Sequence, residues 1–196
     1  FVIIREYTHD RINGVKATFE VEQVSPELGH RPELDANQMS AVLGLLGIGL
    51  NWVNAATMRL SEELRQRPNV MNEAAADLVS EMAGTPHNHY QLCYVQLEEG
   101  QALELELDPP PCRYWSVHLN NWWLESLEFR DGQYVCINDS QALRKPDGTI
   151  KMFVGPEDPG TDNWLDTKGR TETILLARYL LPEKELPPII TNLINI

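Results

Sequence analysis

The spacing of apolar side chains along the chain changes character once, near Gly84. Before it, residues 36–66 place Met39, Val42, Leu43, Leu46, Leu50, Val53 and Leu60 at intervals of three and four, which predicts a helix. The pattern broadens to apolar all round at its centre, as expected for a buried helix. Gly44, Gly47 and Gly49 each cost a helix about 1 kcal/mol relative to alanine, so they predict a break or close packing against a neighbour. Pro68 ends the segment, and Asn69 or Asn72 is placed to cap a shorter helix that runs to Met82 and stops at Gly84.

After Gly84 the period is two. Residues 90–96 and 102–107 alternate cleanly across a Glu98-Glu99-Gly100 turn, and Pro109 to Pro111 separate them from a strand over 113–119. Further strands are predicted over 133–137, 149–154 and 173–181, with turns at Asp131-Gly132 and Asp147-Gly148, and a last one over 189–196. Short strands with closely spaced turns and no helix between them predict an antiparallel sandwich or barrel rather than a parallel sheet.

At the start, residues 1–7 and 17–24 read as two strands around a turn at Asp10 to Gly14. An apolar run reaching Arg5 and Tyr7 parallels one reaching Arg178 and Tyr179 near the other end, each followed by another strand. The expected organisation is therefore three parts. Residues 1–24 are closing strands of an upstream sandwich, 25–84 a linker and helical segment, and 85–196 the C-terminal sandwich.

Composition narrows the partners. The 196 residues are 42% apolar, enough for a core, and carry a formal net charge of −13 without a basic run. Nucleic acid is not an expected partner, nor is an anionic membrane surface, since both need clustered cations. The apolar run from Ala41 to Met58 approaches spanning length, but it contains Asn51 and Asn54 and has no positive flank, so membrane insertion is not expected. No targeting segment is read in the chain, which is expected to be soluble in a compartment it does not specify. Cys93, Cys112 and Cys136 form neither a disulfide framework nor a zinc pattern and read as free thiols.

The densest chemistry lies between Cys112 and Ser126. In a strand, Trp115, Val117 and Leu119 share a core face, while Tyr114, Ser116, His118 and Asn120 share a face suited either to solvent or to a small ligand or glycan. A second cluster, residues 158–167, reads as a long polar loop around Trp164, with Asp166 free to pair with Arg113 or Arg130. Catalytic sets are weakly supported. His87, His89 and His118 have no carboxylate beside them, Ser116 or Ser126 with His118 and Asp166 lacks a nucleophile elbow, and Glu104, Glu106, Glu125 and Glu128 read as solvated. Neither a metal nor a cofactor is expected, and no phosphate loop or dinucleotide fingerprint is present.

The run from Arg113 to Asn121, the segment Trp123 to Leu127, Asp158-Pro159-Gly160, and Asn163 to Thr167 with Gly169 resemble the family catalogued as domain of unknown function 1214. The resemblance covers about residues 90–196. It implies a jelly-roll-like β-sandwich at the C-terminus of a longer protein, often paired with domain of unknown function 1254 or a related upstream sandwich, and no established activity. Family members often have a histidine just before the Asp-Pro-Gly element, where this chain has Pro156.

The resulting expectation is a mainly β protein, an antiparallel jelly-roll-like sandwich after a helical segment. Its leading function is a structural module or one that binds a small molecule, lipid or glycan. The expected binding residues are Arg113, Asn120, Asn121, Trp123, Glu125, Asn163, Trp164 and Asp166, with Trp115 in the core. The alternative is a hydrolase- or lyase-type enzyme whose site is completed by an upstream sandwich of the same protein. A homo-oligomer built on the glycine-bearing helix is a third expectation.

Overall fold

The computed structural model describes residues 4, 13–22, 24, 33–72, 87–128 and 134–196, divided into two compact units, Phe1–Gly47 and Ile48–Ile196. One helix, α1 (Ala36–Arg65), precedes eight strands: β1 (Asn88–Gln96), β2 (Gln101–Leu107), β3 (Tyr114–Asn120), β4 (Cys136–Asn138), β5 (Ile150–Gly155), β6 (Trp164–Asp166), β7 (Glu172–Leu180) and β8 (Ile190–Asn195). They form two four-stranded sheets, in the orders β1-β7-β3-β4 and β6-β5-β2-β8. Every pairing is antiparallel except β5 with β6. The expected mainly β sandwich after a helix is what forms.

The alternation explains the stacking. Cys93 and Val95, Trp115, Val117 and Leu119, and Leu175, Ala177 and Tyr179 point from the first sheet into one core. Leu103, Leu105, Leu107, Ile150, Met152 and Val154 meet them from the second. Trp115 is in this core, as the strand parity requires. Gly155 stands beside Ala102 of β2, and a Cβ on it would come within 3.2 Å of the alanine Cβ, so the two strands approach closely there. Strand β6 is missed by the sequence pattern because it has three residues in a polar loop, and it pairs in parallel along β5, Phe153 opposite Trp164.

The outer face of the first sheet is also covered. Leu60 and Leu64 of α1 pack with Tyr90, Leu92, Tyr94, Ile174 and Leu176, with Trp122 and Leu124 alongside. The helix thus buries Thr57, Leu60, Ser61 and Leu64, an i, i+3, i+4, i+7 stripe, near its end. Ser61 donates to the Trp122 carbonyl at 3.2 Å. Its start is a capping box: the Asp35 carboxylate accepts from the Asn37 and Gln38 amides at 2.8 Å, and the Gln38 side chain accepts from the Asp35 amide at 3.0 Å.

Three expectations about this region are corrected. The apolar stretch before Thr57 is exposed rather than buried, Leu50 by 71% and Trp52 by 60%. The packing stripe lies in the more polar last turns, where something exists to pack against. Gly44, Gly47 and Gly49 produce no break, and a Cβ on any of them would meet nothing within 4 Å. By length and composition α1 is apolar enough to cross a bilayer, but it is a weak candidate. Asn69, expected as a helix cap, sits at φ 60° and binds strands instead. Its side chain donates to the Gln96 carbonyl at 2.7 Å and accepts from the Gln96 amide at 2.9 Å, while its carbonyl accepts from the Thr191 hydroxyl at 2.6 Å.

Residues 15–22 are exposed and form no strand with any described residue. The strand expected over 1–7, the short helix expected up to Met82 with Gly84, and the Asp131-Gly132 turn lie outside the described residues.

The docked end of α1 gives a direct test. Leu60→Ala is expected to lower unfolding free energy by about 2–5 kcal/mol, and Leu50→Ala by about 0.5 kcal/mol or less, in urea titrations of the two variants. Equal losses would show that the exposed half of the helix is covered in solution.

Candidate functional site

Strand register places one set of polar side chains on the outer face of the first sheet. Arg178 lies between Tyr90 of β1 and Ser116 of β3, and Ser116 is opposite Asn138 of β4. In the next row His118 stands between Leu176 and Cys136. Tyr114, two residues before Ser116, shares the face. The sequence pattern identifies Tyr114, Ser116 and His118 as one face, but it offers solvent or ligand as the alternatives. In the structure Tyr114, Ser116 and Asn120 are buried and His118 half-buried. Arg178 was missed, because nothing in one strand's sequence says which cation of another strand lies beside it.

Two guanidinium–aromatic stacks occupy this face, and they differ in charge balance. At the helix end, Arg65 lies 5.7 Å from the Tyr94 ring centre and 5.5 Å from that of Trp122. There the charge is met by Glu172, 3.0 Å from Nη2. At the other stack Arg178 lies 5.4 Å from the Tyr114 ring centre. No carboxylate among the described residues forms an ion pair with it, and its Nε is buried without a hydrogen-bond partner. A buried donor left unmade costs about 1–3 kcal/mol, more when charged.

The same guanidinium acts on its neighbours. Burial, and then the charge of Arg178, push the His118 imidazole down from 6.5 to about 4, against a hydrogen bond with Asn120. Burial also raises Tyr114, with the charges of Cys136 and Asp139 adding to it, and is opposed by its hydrogen bond with Ser116 and by Arg178. Around Arg178 the face therefore carries a neutral imidazole and a protonated phenol, and the charge of Asp139 acts on that phenol.

The sequence-predicted residues fall into separate places. Asn120 closes β3: its amide donates to the Ile174 carbonyl at 3.5 Å and its carbonyl accepts from the Thr173 hydroxyl at 2.7 Å. Asn121 organises the following turn, its side-chain oxygen accepting from the Trp123 and Glu125 amides and its side-chain nitrogen donating to Glu125 at 2.7 Å. Trp123 is 51% exposed and donates to Asn54 at 2.9 Å. Asn163 bonds the backbone of Leu143 and Lys151, and Trp164 donates to the Gly155 carbonyl at 3.0 Å. Asp166 is paired with Lys168 rather than Arg113, and Arg130 lies outside the described residues. Arg113 is exposed ahead of β3. Asn120, Asn121, Trp123 and Glu125 are thus brought together around one turn, and Asn163, Trp164 and Asp166 in or beside β6. Among the described residues no hydrogen bond or ion pair joins the two groups.

An open hollow of about 270 Å³ on the second sheet is lined by Arg144, Lys145, Lys151, Phe153, Thr161 and Asn163, among others. Its lysines are engaged by Glu106 at 3.1 Å and Glu104 at 2.7 Å, so those part-exposed glutamates are paired. The hollow is a weaker candidate than the Arg178 face for that reason. Among the described residues no three His, Cys, Asp or Glu side chains converge to hold a metal ion. The three cysteines are free, and burial pushes the Cys93 thiol up to about 12.

The His118 shift carries a stability consequence whose sign is fixed. The fold favours the neutral ring, so below about 6.5 the unfolded chain takes up the proton first, and the contribution is lost as pH falls towards about 4. Wild type is expected to lose up to about 3 kcal/mol more than His118→Gln between pH 7 and pH 4 in paired urea titrations. Parallel losses in the two proteins would mean that His118 titrates as an exposed imidazole.

No curated protein matches the chain. A crystal structure of an uncharacterised protein from Burkholderia cenocepacia superimposes with a TM-score of 0.64 at 28% identity, over 69% of this chain and 38% of that one. The chain therefore spans well under half the length of that relative. A protein from Vibrio parahaemolyticus shows a looser likeness, with a TM-score of 0.44 at 11% identity over 83% of this chain and 47% of that one. Residues 95–184, a stretch that holds Tyr114, Ser116, His118, Cys136 and Arg178, match the family model described as Protein of unknown function (DUF1214), which is consistent with a DUF1214 domain in the C-terminal part of this chain.

Proposed function

We propose that the C-terminal sandwich is a binding module for a small molecule, which docks on the outer face of the first sheet beside Arg178. The observation that carries this reading is the contrast between two arginines on one face. Arg65 has Glu172 as its partner, whereas Arg178 has a buried Nε with none. A fold that needed Arg178 only for packing would be better served by an apolar residue of similar size, since an unmade buried donor is a net cost. A buried donor that costs stability and has no partner among the described residues is characteristic of surfaces shaped for something else.

The reading separates from a purely structural one by a sign. Arg178→Met is expected to raise the unfolding free energy of ligand-free protein by about 1 kcal/mol or more, measured by urea titration. A structural arginine would give a loss instead. Native mass spectrometry of the protein purified gently from its host is expected to show a retained small molecule, absent from the same preparation of Arg178→Met. Wild-type protein with no such adduct, together with a destabilised variant, would remove the proposal.

A further inference from the structure

We propose that the hollow on the second sheet is a separate site for a small zwitterion, an α-amino acid with an apolar side chain, held between Arg144 and Asp162.

The hollow is built before any ligand arrives. Asn163 is buried, and its side chain accepts from the Leu143 amide at 2.9 Å and donates to the Leu143 and Lys151 carbonyls at 2.8 and 2.9 Å. Its backbone carbonyl accepts from the Phe153 amide at 2.9 Å, so the segments before and after β5 are tied to that strand by one residue. Beyond Arg144 the chain closes a turn, with the Lys145 amide on the Thr149 carbonyl at 2.8 Å and the Gly148 amide on the Lys145 carbonyl at 2.9 Å. Walls fixed in this way leave little ordering to be lost on binding. At about 270 Å³ the hollow lies just under the range of about 300–1,000 Å³ usual for drug-sized ligands, so it suits a smaller molecule.

Charge selects the kind of molecule. Of the three cations that line the hollow, Lys145 and Lys151 are met by Glu106 and Glu104. Arg144 and Asp162 line it too, both are exposed, and neither forms an ion pair among the described residues. One uncommitted charge of each sign is therefore on offer. The charge of Lys145 also acts on Asp147, and Asp139 and Glu183 act together with Arg144 on the Cys112 thiol. The surroundings thus carry no positive excess that would hold an anion by charge alone. A bare anion would also meet Asp162, and a bare cation would meet Arg144. A molecule that carries both a carboxylate and an ammonium group satisfies the two together.

Geometry fits each end. Nη1 of Arg144 donates to the Gly148 carbonyl at 2.8 Å, which anchors the guanidinium to the turn. Nε and Nη2 are left for the ligand, two parallel N–H groups spaced to match the oxygens of a carboxylate. The Asp162 carboxylate then accepts from the ammonium. The Lys151 ammonium lies 5.9 Å from the Phe153 ring centre and covers part of that ring, so Leu143, 55% exposed, is the main apolar wall for the side chain. Arg144, Asp162 and Leu143 are all open to solvent, and a ligand reaches them without the fold having to part.

The test is isothermal titration of the whole chain with L-phenylalanine, L-leucine, N-acetyl-L-phenylalanine, L-phenylalaninamide and glucose. At least one of the two free amino acids is expected to bind. The acetylated form, which lacks the ammonium, and the amide, which lacks the carboxylate, are each expected to bind at least about tenfold more weakly than the free amino acids. Glucose is expected not to bind. Arg144→Gln and Asp162→Asn are each expected to weaken the amino acid about tenfold or more with the urea midpoint unchanged, since both side chains are exposed. Arg144→Lys, which keeps the charge but loses the parallel donors, should fall between wild type and Arg144→Gln. A blocked form that binds as well as the free amino acids, or glucose bound in place of both, would overturn the zwitterion. Wild-type affinity in either Arg144→Gln or Asp162→Asn would overturn the site, as would no amino acid bound at millimolar concentration. None of these outcomes bears on the Arg178 face, which shares no residue with the hollow.

Discussion

The first sheet is buried on both faces, and most of what distinguishes this protein follows from that. One face of β1, β3 and β7 meets the second sheet across the apolar core. The other receives the last turns of α1. A strand exposed on one side can carry any polar residue there, because water satisfies it. A strand covered on both sides cannot, so each polar group on β3 and β7 needs a partner or becomes a cost. Asn120 and Thr173 find theirs within the sheet. Arg178 leaves one donor unmet, and His118 is held neutral beside it.

The strands were legible because the core is made by alternation alone. Trp115, Val117 and Leu119 face inwards in any register that buries one side of β3, and the sequence pattern shows this without a partner strand. The opposite face was harder. Its alternation is identical whether it meets water, a ligand or a helix, and only the position of Leu60 and Leu64 decides among these. The site itself is assembled across three strands widely separated in the chain, so no local spacing announces it. The residues singled out for their density, Asn121, Asn163 and Asp166, are dense for another reason. They brace turns, each side chain bonding backbone a few residues away or across a loop.

The helix shows how composition can point to the wrong end. Its bounds are readable to within a residue, but its most apolar turns lie open and its buried stripe includes Thr57 and Ser61. Small polar side chains there let the helix backbone come close, and each has an acceptor: Thr57 bonds the Val53 carbonyl at 3.0 Å and Ser61 the Trp122 carbonyl. Burial is a property of two surfaces, and the sequence of one helix describes only the first. The same limit applies to the glycines, which signal a close neighbour by habit but have open space around them.

The tryptophans stand in unlike surroundings: Trp115 sealed in the core, Trp122 beneath the Arg65 guanidinium, Trp123 and Trp52 largely in solvent, and Trp164 bonded to the Gly155 carbonyl. Indole emission shifts to longer wavelength as water reaches the ring. Helix detachment would wet Trp122 while Trp115 stayed dry, so the protein carries its own optical record of the order in which its layers come apart.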